Sequence, residues 1–322
     1  MTMKMLTVTV LFTLASAFAQ DALQITFTHH SSASNTFWQA VQLGMNEACE
    51  LIEAQCDMLF TQTEGDANQQ LANIEAALAR GTDVLITTIV DDNIFDEVIA
   101  QAQADGVIVL ASNVDDSEGA AGNSRLAFIG QEFRSAGYEL AQGMSELFPE
   151  EGPIHVLVGI SAPGQNWSET RGGGVLDFMA DYQAANPDRE ITFERIDSGT
   201  DLAVTASRIG AYVQANPDLT AYFDTGFWHA GVARELESLG YAPGEILLGG
   251  FDLVPDALQG MQNGYIQLQV DQQPYLQGFL PVIQAHLMDR YQLSAWDVNT
   301  GKALIEPEDV DAILELSQQG YR

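Results

Sequence analysis

Short apolar runs alternate with segments of helical periodicity along the first half of the chain. Five runs have the length of buried strands: 23–28, 57–62, 83–88, 106–112 and 126–130. Between these runs, apolar residues recur at the spacing of one helix face over 36–54, 66–80 and 92–105. Strands that alternate with helices predict a parallel sheet covered by helices on both faces.

The same alternation starts again in the second half of the chain. Strands are predicted at 153–160, 191–196, 219–224, 245–252 and 265–270. Helices are predicted near 166–185, 201–215, 228–240 and 254–263. The expected fold class is therefore α/β, with two doubly wound parallel-sheet domains. Ligands of such sheets bind outside the carboxyl ends of the strands, so a ligand cleft is expected between the two domains.

Composition and charge narrow the class of partner. The chain has 322 residues, 46% of them hydrophobic, which is enough for two domains with large cores. Its formal net charge is -33, from 12 basic and 45 acidic residues, and the basic residues form no cluster. Such a surface repels phosphate backbones, so nucleic acid is excluded as a partner.

The amino terminus has the three parts of an export signal. Lys4 is followed by the apolar stretch 5–14 and by the small-x-small site Ala17-Phe18-Ala19. We expect a signal peptide over 1–19, cleavage near Ala19 and an exported, periplasmic protein. The alternative is an ordinary first strand or an uncleaved anchor. No later segment has the length and apolarity of a transmembrane helix.

The two cysteines, Cys49 and Cys56, are close in sequence. In an oxidising compartment they predict a disulfide between the end of the first helix and the next strand, which would stabilise the fold by about 2–3 kcal/mol. Two free thiols are the alternative, because a helix can hold the pair too far apart to bond. Two cysteines and five histidines without ligand spacing predict no metal site.

No catalytic motif or cofactor fingerprint is found. The segment "GISAPG" (159–164) lacks the glycine spacing of a nucleophile elbow, and "RGGGV" (171–175) lacks the Lys-Ser/Thr of a phosphate loop. We therefore expect no cofactor and no enzymatic activity, with a secreted hydrolase as the less favoured alternative.

The predicted carboxyl ends of the strands carry amides, carboxylates, one arginine and large aromatic residues. In the first half the candidate ligand-binding residues are His30, Ser31, Asn35, Phe37, Trp38, Thr88, Asn113 and Gln131. In the second half they are Trp167, Arg171, Phe227, Trp228, Asp252, Asp271 and Gln272. Polar groups of this kind pair with hydroxyls and aromatic faces cover C–H surfaces, so a small neutral polyhydroxylated ligand is expected.

Several candidates also have a purely structural interpretation. Phe37 continues the apolar stripe of its helix and fits the core equally well. Arg171 has Glu169 and Asp177 as alternative ion-pair partners. The remaining alternatives are caps or local packing, for His30, Asn35, Asp252, Asp271, Trp167 and Trp228. Replacing Trp38 or Asp271 with Ala is expected to weaken ligand binding sharply and to leave the fold intact.

Two segments carry a resemblance to a known family. "HSSASNTFW" (30–38) is similar to the motif His-Gly-x-x-x-Asp-Pro-Phe-Trp, and the segment 249–279 with "VDQQPYLQGF" is similar over its whole length. The chain thus resembles the type I, ribose-binding-like periplasmic sugar- and polyol-binding proteins of ABC importers, over nearly all of the mature sequence. The resemblance implies that six residues fall on sugar-contacting positions: Asn35, Trp38, Asn113, Arg171, Asp252 and Asp271.

Departures from the family pattern argue against ribose. Asn35 and Thr36 replace Asp-Pro, and Val114 follows Asn113 where ribose binders carry Arg after Asp. The second aromatic wall of ribose binders has no match near Thr200. Trp167 or Trp228 is expected to supply that wall for a different pentose, a hexose, a polyol or a similar small ligand.

The family architecture implies three crossings between the lobes, near 131–132, 271–272 and 297–302. The first lobe is then 20–131 plus 272–297, and the second is 132–271 plus 298–322. The implied function is a monomeric receptor that closes two lobes on a sugar or polyol and delivers it to the inner-membrane permease of an ABC transporter. A binding protein that serves a chemoreceptor or senses an autoinducer is the alternative.

Overall fold

The computed structural model describes residues 22–35, 37–301 and 303–322, so the predicted signal peptide lies outside the described residues. Twelve strands run through the described part of the chain: β1 Gln24–Ser32, β2 Gln55–Thr61, β3 Val84–Thr87, β4 Ile108–Asn113, β5 Phe128–Gly130, β6 Ile154–Ile160, β7 Ile191–Asp197, β8 Ala221–Asp224, β9 Leu247–Phe251, β10 Leu268–Asp271, β11 Val298–Asn299 and β12 Ala303–Ile305.

Ten α-helices connect these strands within the same described ranges: α1 Phe37–Ile52, α2 Ala67–Ala79, α3 Asp96–Ala104, α4 Phe133–Ser145, α5 Asn166–Ala185, α6 Leu202–Ala215, α7 His229–Leu239, α8 Pro255–Gln262, α9 Pro274–Tyr291 and α10 Val310–Gln318. Three of them, α4, α9 and α10, lie outside the predicted helices.

The strands form two six-stranded sheets of matching order. The first is β11-β5-β4-β3-β1-β2 and the second is β12-β10-β9-β8-β6-β7. Neighbouring strands are parallel except for β12, which runs antiparallel to β10. The expected class, α/β with two doubly wound parallel sheets, is confirmed. β4 of the first sheet and β9 of the second occupy equivalent places.

The chain passes between the two sheets three times. It leaves the first sheet after β5, returns to it after β10, and crosses again between β11 and β12. Because β11 pairs with β5, Val298 and Asn299 belong to the first sheet, two residues beyond the predicted boundary at 297.

Glycines allow helices to pack closely on the outside of each sheet. α9 lies against α1, and α4 lies against α5. A Cβ atom on Gly174 would overlap the backbone carbonyl of Arg134, and one on Gly278 would overlap that of Val41. The glycine run that begins at 172 therefore permits close contact between α5 and α4.

Each sheet has an apolar cluster on both of its faces. The first sheet carries Phe27 and Ile86 on one face and Leu85 and Val109 on the other. Periodic apolar residues of the helices cover these faces, as the pattern of the sequence predicts. No helix among the described residues is long and apolar enough to span a bilayer.

The disulfide partners lie at the end of α1 and in β2. The sulfur atoms of Cys49 and Cys56 are bonded, and their Cα atoms are 6.3 Å apart. Cys49 lies in the last turns of α1, beside β2, so its Cα is within bonding range of that of Cys56. The alternative of two free thiols held too far apart to bond is therefore not found.

Candidate ligand-binding site

The carboxyl ends of equivalent strands meet across the gap between the sheets. Asn113 ends β4 with φ +67°, and Asp252 follows β9 with φ +73°. Asn and Asp adopt this left-handed conformation more readily than other residues with a side chain. The two halves of the chain therefore bring an amide and a carboxylate to the same cavity by the same local turn.

One cavity between the lobes collects most of the predicted residues. Eleven of them line it: His30, Asn35, Phe37, Trp38, Asn113, Trp167, Arg171, Phe227, Trp228, Asp252 and Gln272. A larger opening on one side shares Asn35, Glu64, Phe227 and Trp228 with it, and so connects it with solvent. The two sheets thus form a single polar and aromatic site.

Arg171 is buried in this cavity, with a relative exposure of 3%. Its Nε and Nη2 donate to Gln131 Oε1 at 3.2 and 3.0 Å, and Nη1 donates to the Thr225 carbonyl at 3.0 Å. The guanidinium carbon lies 4.2 Å from the ring centroid of Phe251 and 4.7 Å from that of Phe133. Burial lowers the pKa of Arg171 to about 10, so the side chain remains charged at neutral pH.

The surface partners considered for Arg171 are occupied elsewhere. Glu169 pairs with Arg195, and Asp177 pairs with Arg134. Arg171 is therefore available as a donor within the cavity, which favours the ligand-binding interpretation.

An amide network holds the polar end of the site. Gln272 Nε2 donates to Asp252 Oδ1 at 2.5 Å, and Asn113 Nδ2 donates to Gln272 Oε1 at 3.3 Å and to Gln277 Oε1 at 2.9 Å. Burial raises the pKa of Asp252, while the nearby charge of Arg171 lowers it. Asp252 does not cap α8, which begins without a side-chain cap.

Trp38 is both a cavity residue and part of the core. It is only 2% exposed, its ring stacks on His29 with the centroids 3.9 Å apart, and it meets Phe27 edge-on at 6.1 Å. Removing the indole would leave a hole in this packing. Trp38→Ala is therefore expected to destabilise the fold, contrary to the expectation from the sequence.

The second lobe contributes its own aromatic wall. The rings of Trp167 and Trp228 are 6.2 Å apart, and Phe227 stacks on Trp228 at 4.6 Å. Trp167 Nε1 donates to Gln165 Oε1 at 2.8 Å, so the local packing alternative and the cavity role coexist. That Trp167 or Trp228 replaces the aromatic wall that has no match near Thr200 stays a prediction.

Four predicted residues are outside the cavity lining: Ser31, Thr88, Gln131 and Asp271. The first three support residues that do line it. Ser31 Oγ donates to Glu64 Oε2 at 2.5 Å, Thr88 Oγ1 lies 3.1 Å from His30 Nδ1, and Gln131 accepts from Arg171.

Asp271 instead pairs with the carboxyl-terminal residue, Arg322. It lies at the end of β10, where the chain returns to the first sheet. Its carboxylate is 1% exposed, forms an ion pair with Arg322 and accepts from the Gln273 backbone at 2.8 Å. The resemblance implies that Asp271 contacts the ligand, but its side chain faces Arg322 and does not line the cavity. The local interpretation, a side chain that fixes the turn before α9, describes its contacts.

Three cavity residues were not predicted: Glu64, Phe133 and Gly226. Glu64 follows β2, for which no candidate was considered, although the rule of the carboxyl ends applies to it equally. Asn35 connects Glu64 to α1, because its Oδ1 accepts from the Phe37 backbone at 3.2 Å and its Nδ2 donates to Glu64 Oε2 at 3.5 Å. The helix-cap and cavity roles of Asn35 are thus combined.

The turn at Gly226 is held by a buried carboxylate. Asp224 accepts from the Gly226 backbone at 2.8 Å, from Ser161 Oγ at 2.6 Å and from the Tyr222 hydroxyl at 3.1 Å. Burial raises the pKa of Asp224 to about 6, although these hydrogen bonds oppose the rise. No group of three or more metal-ligating side chains occurs within 22–35, 37–301 and 303–322.

A family model described as a periplasmic binding protein domain matches residues 27–288. This chain belongs to the periplasmic binding protein family. The family resemblance expected from the sequence is confirmed. Periplasmic binding proteins of this kind are solute receptors of transporters and not enzymes, which agrees with the expected lack of catalytic activity.

Individual relatives extend the comparison over most of the chain. The xylose/arabinose-binding protein XylF of Sulfolobus acidocaldarius is 27% identical over 310 residues, covering 92% of this chain and 74% of that protein. A periplasmic sugar-binding protein of an ABC sugar transporter from Legionella pneumophila has a TM-score of 0.77 at 26% identity, covering 86% of this chain and 98% of that one. A carbohydrate transporter protein from Acidothermus cellulolyticus, solved with myo-inositol, shares the fold with a TM-score of 0.78 at 23% identity, covering 94% and 100%.

Proposed function

We propose that this protein captures a small sugar or polyol between its two lobes and delivers it to the permease of an ABC importer. The observation that carries the proposal is an interlobe cavity in which Arg171, Asp252 and three indole rings meet. A neutral polyhydroxylated ligand can bond to the charged and amide groups through its hydroxyls and cover the rings with its C–H faces.

Ligand binding and lobe closure are coupled in this proposal. Asp252 bonds to Gln272 in this structure, and Arg171 bonds to Gln131. Ligand hydroxyls would take over part of these hydrogen bonds and connect both lobes at once. Such contacts exist only when the lobes are closed, so the ligand shifts the equilibrium toward the closed form.

The remaining parts of the assignment also belong to the proposal. The chain is exported after cleavage near Ala19, acts as a monomer, and meets an inner-membrane permease. Its lobes are 20–131 plus 272–299 and 132–271 plus 300–322, which differs from the predicted 272–297 and 298–322 because β11 pairs with β5 of the first sheet. Stimulation of the cognate permease's ATPase by ligand-loaded protein tests the delivery step.

A ligand panel tests the capture step. Xylose and arabinose come first, because the name of one relative assigns them to that protein, followed by ribose, glucose, galactose and myo-inositol. Ligand at 100 times its Kd stabilises the native state by about 2.7 kcal/mol, which a thermal shift detects and calorimetry can then quantify. A panel in which no sugar or polyol raises the melting temperature would refute the proposal.

A matched pair of variants ties binding to the cavity. Arg171→Gln removes a buried charged donor and is expected to weaken binding by about 100-fold, since hydrogen bonds to charged groups contribute about 1.5–3 kcal/mol each. Arg208→Gln makes the same change at an exposed arginine that pairs with Asp197 outside the cavity. It should leave affinity unchanged, and equal effects of the two substitutions would contradict the assignment of the site.

A further inference from the structure

This inference rests on the proposed function, in which the ligand carries hydroxyl groups. Two side chains of the first lobe are placed to bind one hydroxyl specifically. We propose that His30 and Glu64 together bind a single ligand hydroxyl, with His30 Nε2–H donating to its oxygen and Glu64 Oε1 accepting its proton. Glu64 is thereby a specificity-determining residue at the mouth of the site.

The donor in this pair follows from hydrogen bonds behind His30. Gln70 Nε2 lies 2.7 Å from the Thr88 carbonyl, which can only accept, so the amide nitrogen and not its oxygen faces Thr88. The same nitrogen donates to Thr88 Oγ1 at 2.9 Å. Thr88 is fully buried, so its hydroxyl proton needs an acceptor inside the protein, and we assign that role to His30 Nδ1, 3.1 Å away. The hydrogen of the neutral ring then lies on Nε2.

His30 stays neutral because it is buried. Burial lowers its pKa to about 3, so at neutral pH the ring carries one hydrogen and not two. The tautomer set by Thr88 is therefore the form that lines the cavity under the conditions of binding.

The acceptor in the pair is Glu64 Oε1, which receives no side-chain hydrogen bond from the described residues, although the Ser32 backbone also interacts with this carboxylate. Its Oε2 is engaged, since it accepts from Ser31 Oγ at 2.5 Å and from Asn35 Nδ2 at 3.5 Å. Within the part of the chain that the structure describes, Glu64 is paired with no Lys or Arg, and its one basic neighbour is His30 Nε2, 3.8 Å from Oε1. Glu64 lines both the cavity and its opening, so Oε1 can meet a ligand.

The spacing of the two atoms suits a hydroxyl in particular. At 3.8 Å they are too far apart to bond to each other, but one oxygen can lie about 2.8 Å from both. A hydroxyl both accepts and donates, whereas a carbonyl only accepts and an ammonium group only donates. Of these three groups, only a hydroxyl satisfies both His30 and Glu64 at once.

Calorimetry on the full mature protein tests the pair. The probe is the sugar or polyol that binds most tightly in the panel above, together with its monodeoxy analogues, one for each hydroxyl. Wild-type protein should lose at least 10-fold in affinity for one analogue. In Glu64→Gln, the amide oxygen will keep accepting from Ser31, so a donor will face the cavity beside the His30 donor. This variant should bind the parent ligand at least 10-fold more weakly, yet bind that one analogue as well as wild type does.

Controls separate recognition from a structural effect. Glu75→Gln makes the same substitution at an exposed position of α2 and should change no affinity. His30→Gln should repeat the pattern of Glu64→Gln, losing affinity for the parent but not for the same analogue. Wild-type affinity of Glu64→Gln for the parent, or an equal loss for every analogue, would overturn the inference while leaving the proposed function in place. Failure of wild type to bind any member of the panel would overturn both.

Discussion

Replacing Trp38 with Ala would measure how far a binding residue of this site also supports the fold. The indole is 2% exposed and meets four aromatic rings, those of Phe27, His29, His30 and Phe37. Truncating a buried aromatic residue of this size costs about 3–5 kcal/mol, from lost apolar transfer and from the hole that remains. Because four ring contacts are lost together, we expect the upper half of that range.

A second tryptophan provides the control for the same substitution. Trp296 is 48% exposed, so Trp296→Ala should cost less than about 1 kcal/mol. Urea unfolding followed by far-UV circular dichroism gives both free energies from the midpoint and slope of each transition. Unfolding free energies of the two variants that agree within 1 kcal/mol would refute the view that Trp38 is a core residue. Binding of the panel sugars by folded Trp38→Ala should also be sharply reduced, and an unchanged Kd would remove it from the site.

Three further predictions concern single groups. Asp224→Asn removes a carboxyl whose pKa is raised to about 6 in the folded protein from about 3.9 in the unfolded chain. Keeping this carboxyl ionised therefore costs the wild-type fold about 3 kcal/mol at neutral pH. As the pH falls from 7 toward 4 the folded protein takes up this proton first, so wild type should gain stability relative to the variant. A stability difference independent of pH between the two proteins would contradict the assigned pKa. Arg322→Gln leaves the buried carboxylate of Asp271 without its ion-pair partner and should lower the unfolding free energy by about 1–3 kcal/mol, measured by thermal melts. The same change in an Asp271→Asn background should cost much less. Equal losses in the two backgrounds would argue against the ion pair. Ser in place of both Cys49 and Cys56 should lower the unfolding free energy by about 2–3 kcal/mol, and added dithiothreitol should then have no further effect, unlike in wild type.

The candidate site could be predicted as far as it depends on strand ends. Asn113 and Asp252 could be predicted because a residue at the carboxyl end of a parallel strand faces the ligand side of the sheet, and Arg171 because it lies in the helix that follows such an end. All three line the cavity. The same rule applies to Glu64, which follows β2 but was not among the predicted residues. It included Asp271, which follows a strand but turns toward Arg322, a residue 51 positions away in sequence.

Whether a residue is a core residue or a binding residue was beyond the sequence pattern. Phe37 and Trp38 begin α1, at the point where its buried face reaches the cavity, so the two interpretations of Phe37 were not exclusive. The glycine run from 172 likewise gave no signal of its purpose, since the partner carbonyl at Arg134 belongs to a helix that the apolar pattern did not identify.

The sequence by itself determined the two sheets, because buried parallel strands and amphipathic helices each impose a local period that repeats in both halves of the chain. Local spacing also determined which residues stand at the strand ends. Tertiary structure alone decided that β12 pairs antiparallel with β10, that β11 joins the first sheet, and that Glu64 and His30 face each other 3.8 Å apart. These features depend on contacts between segments far apart in sequence, whose geometry is set by the packing of whole elements and not by the period within any one of them.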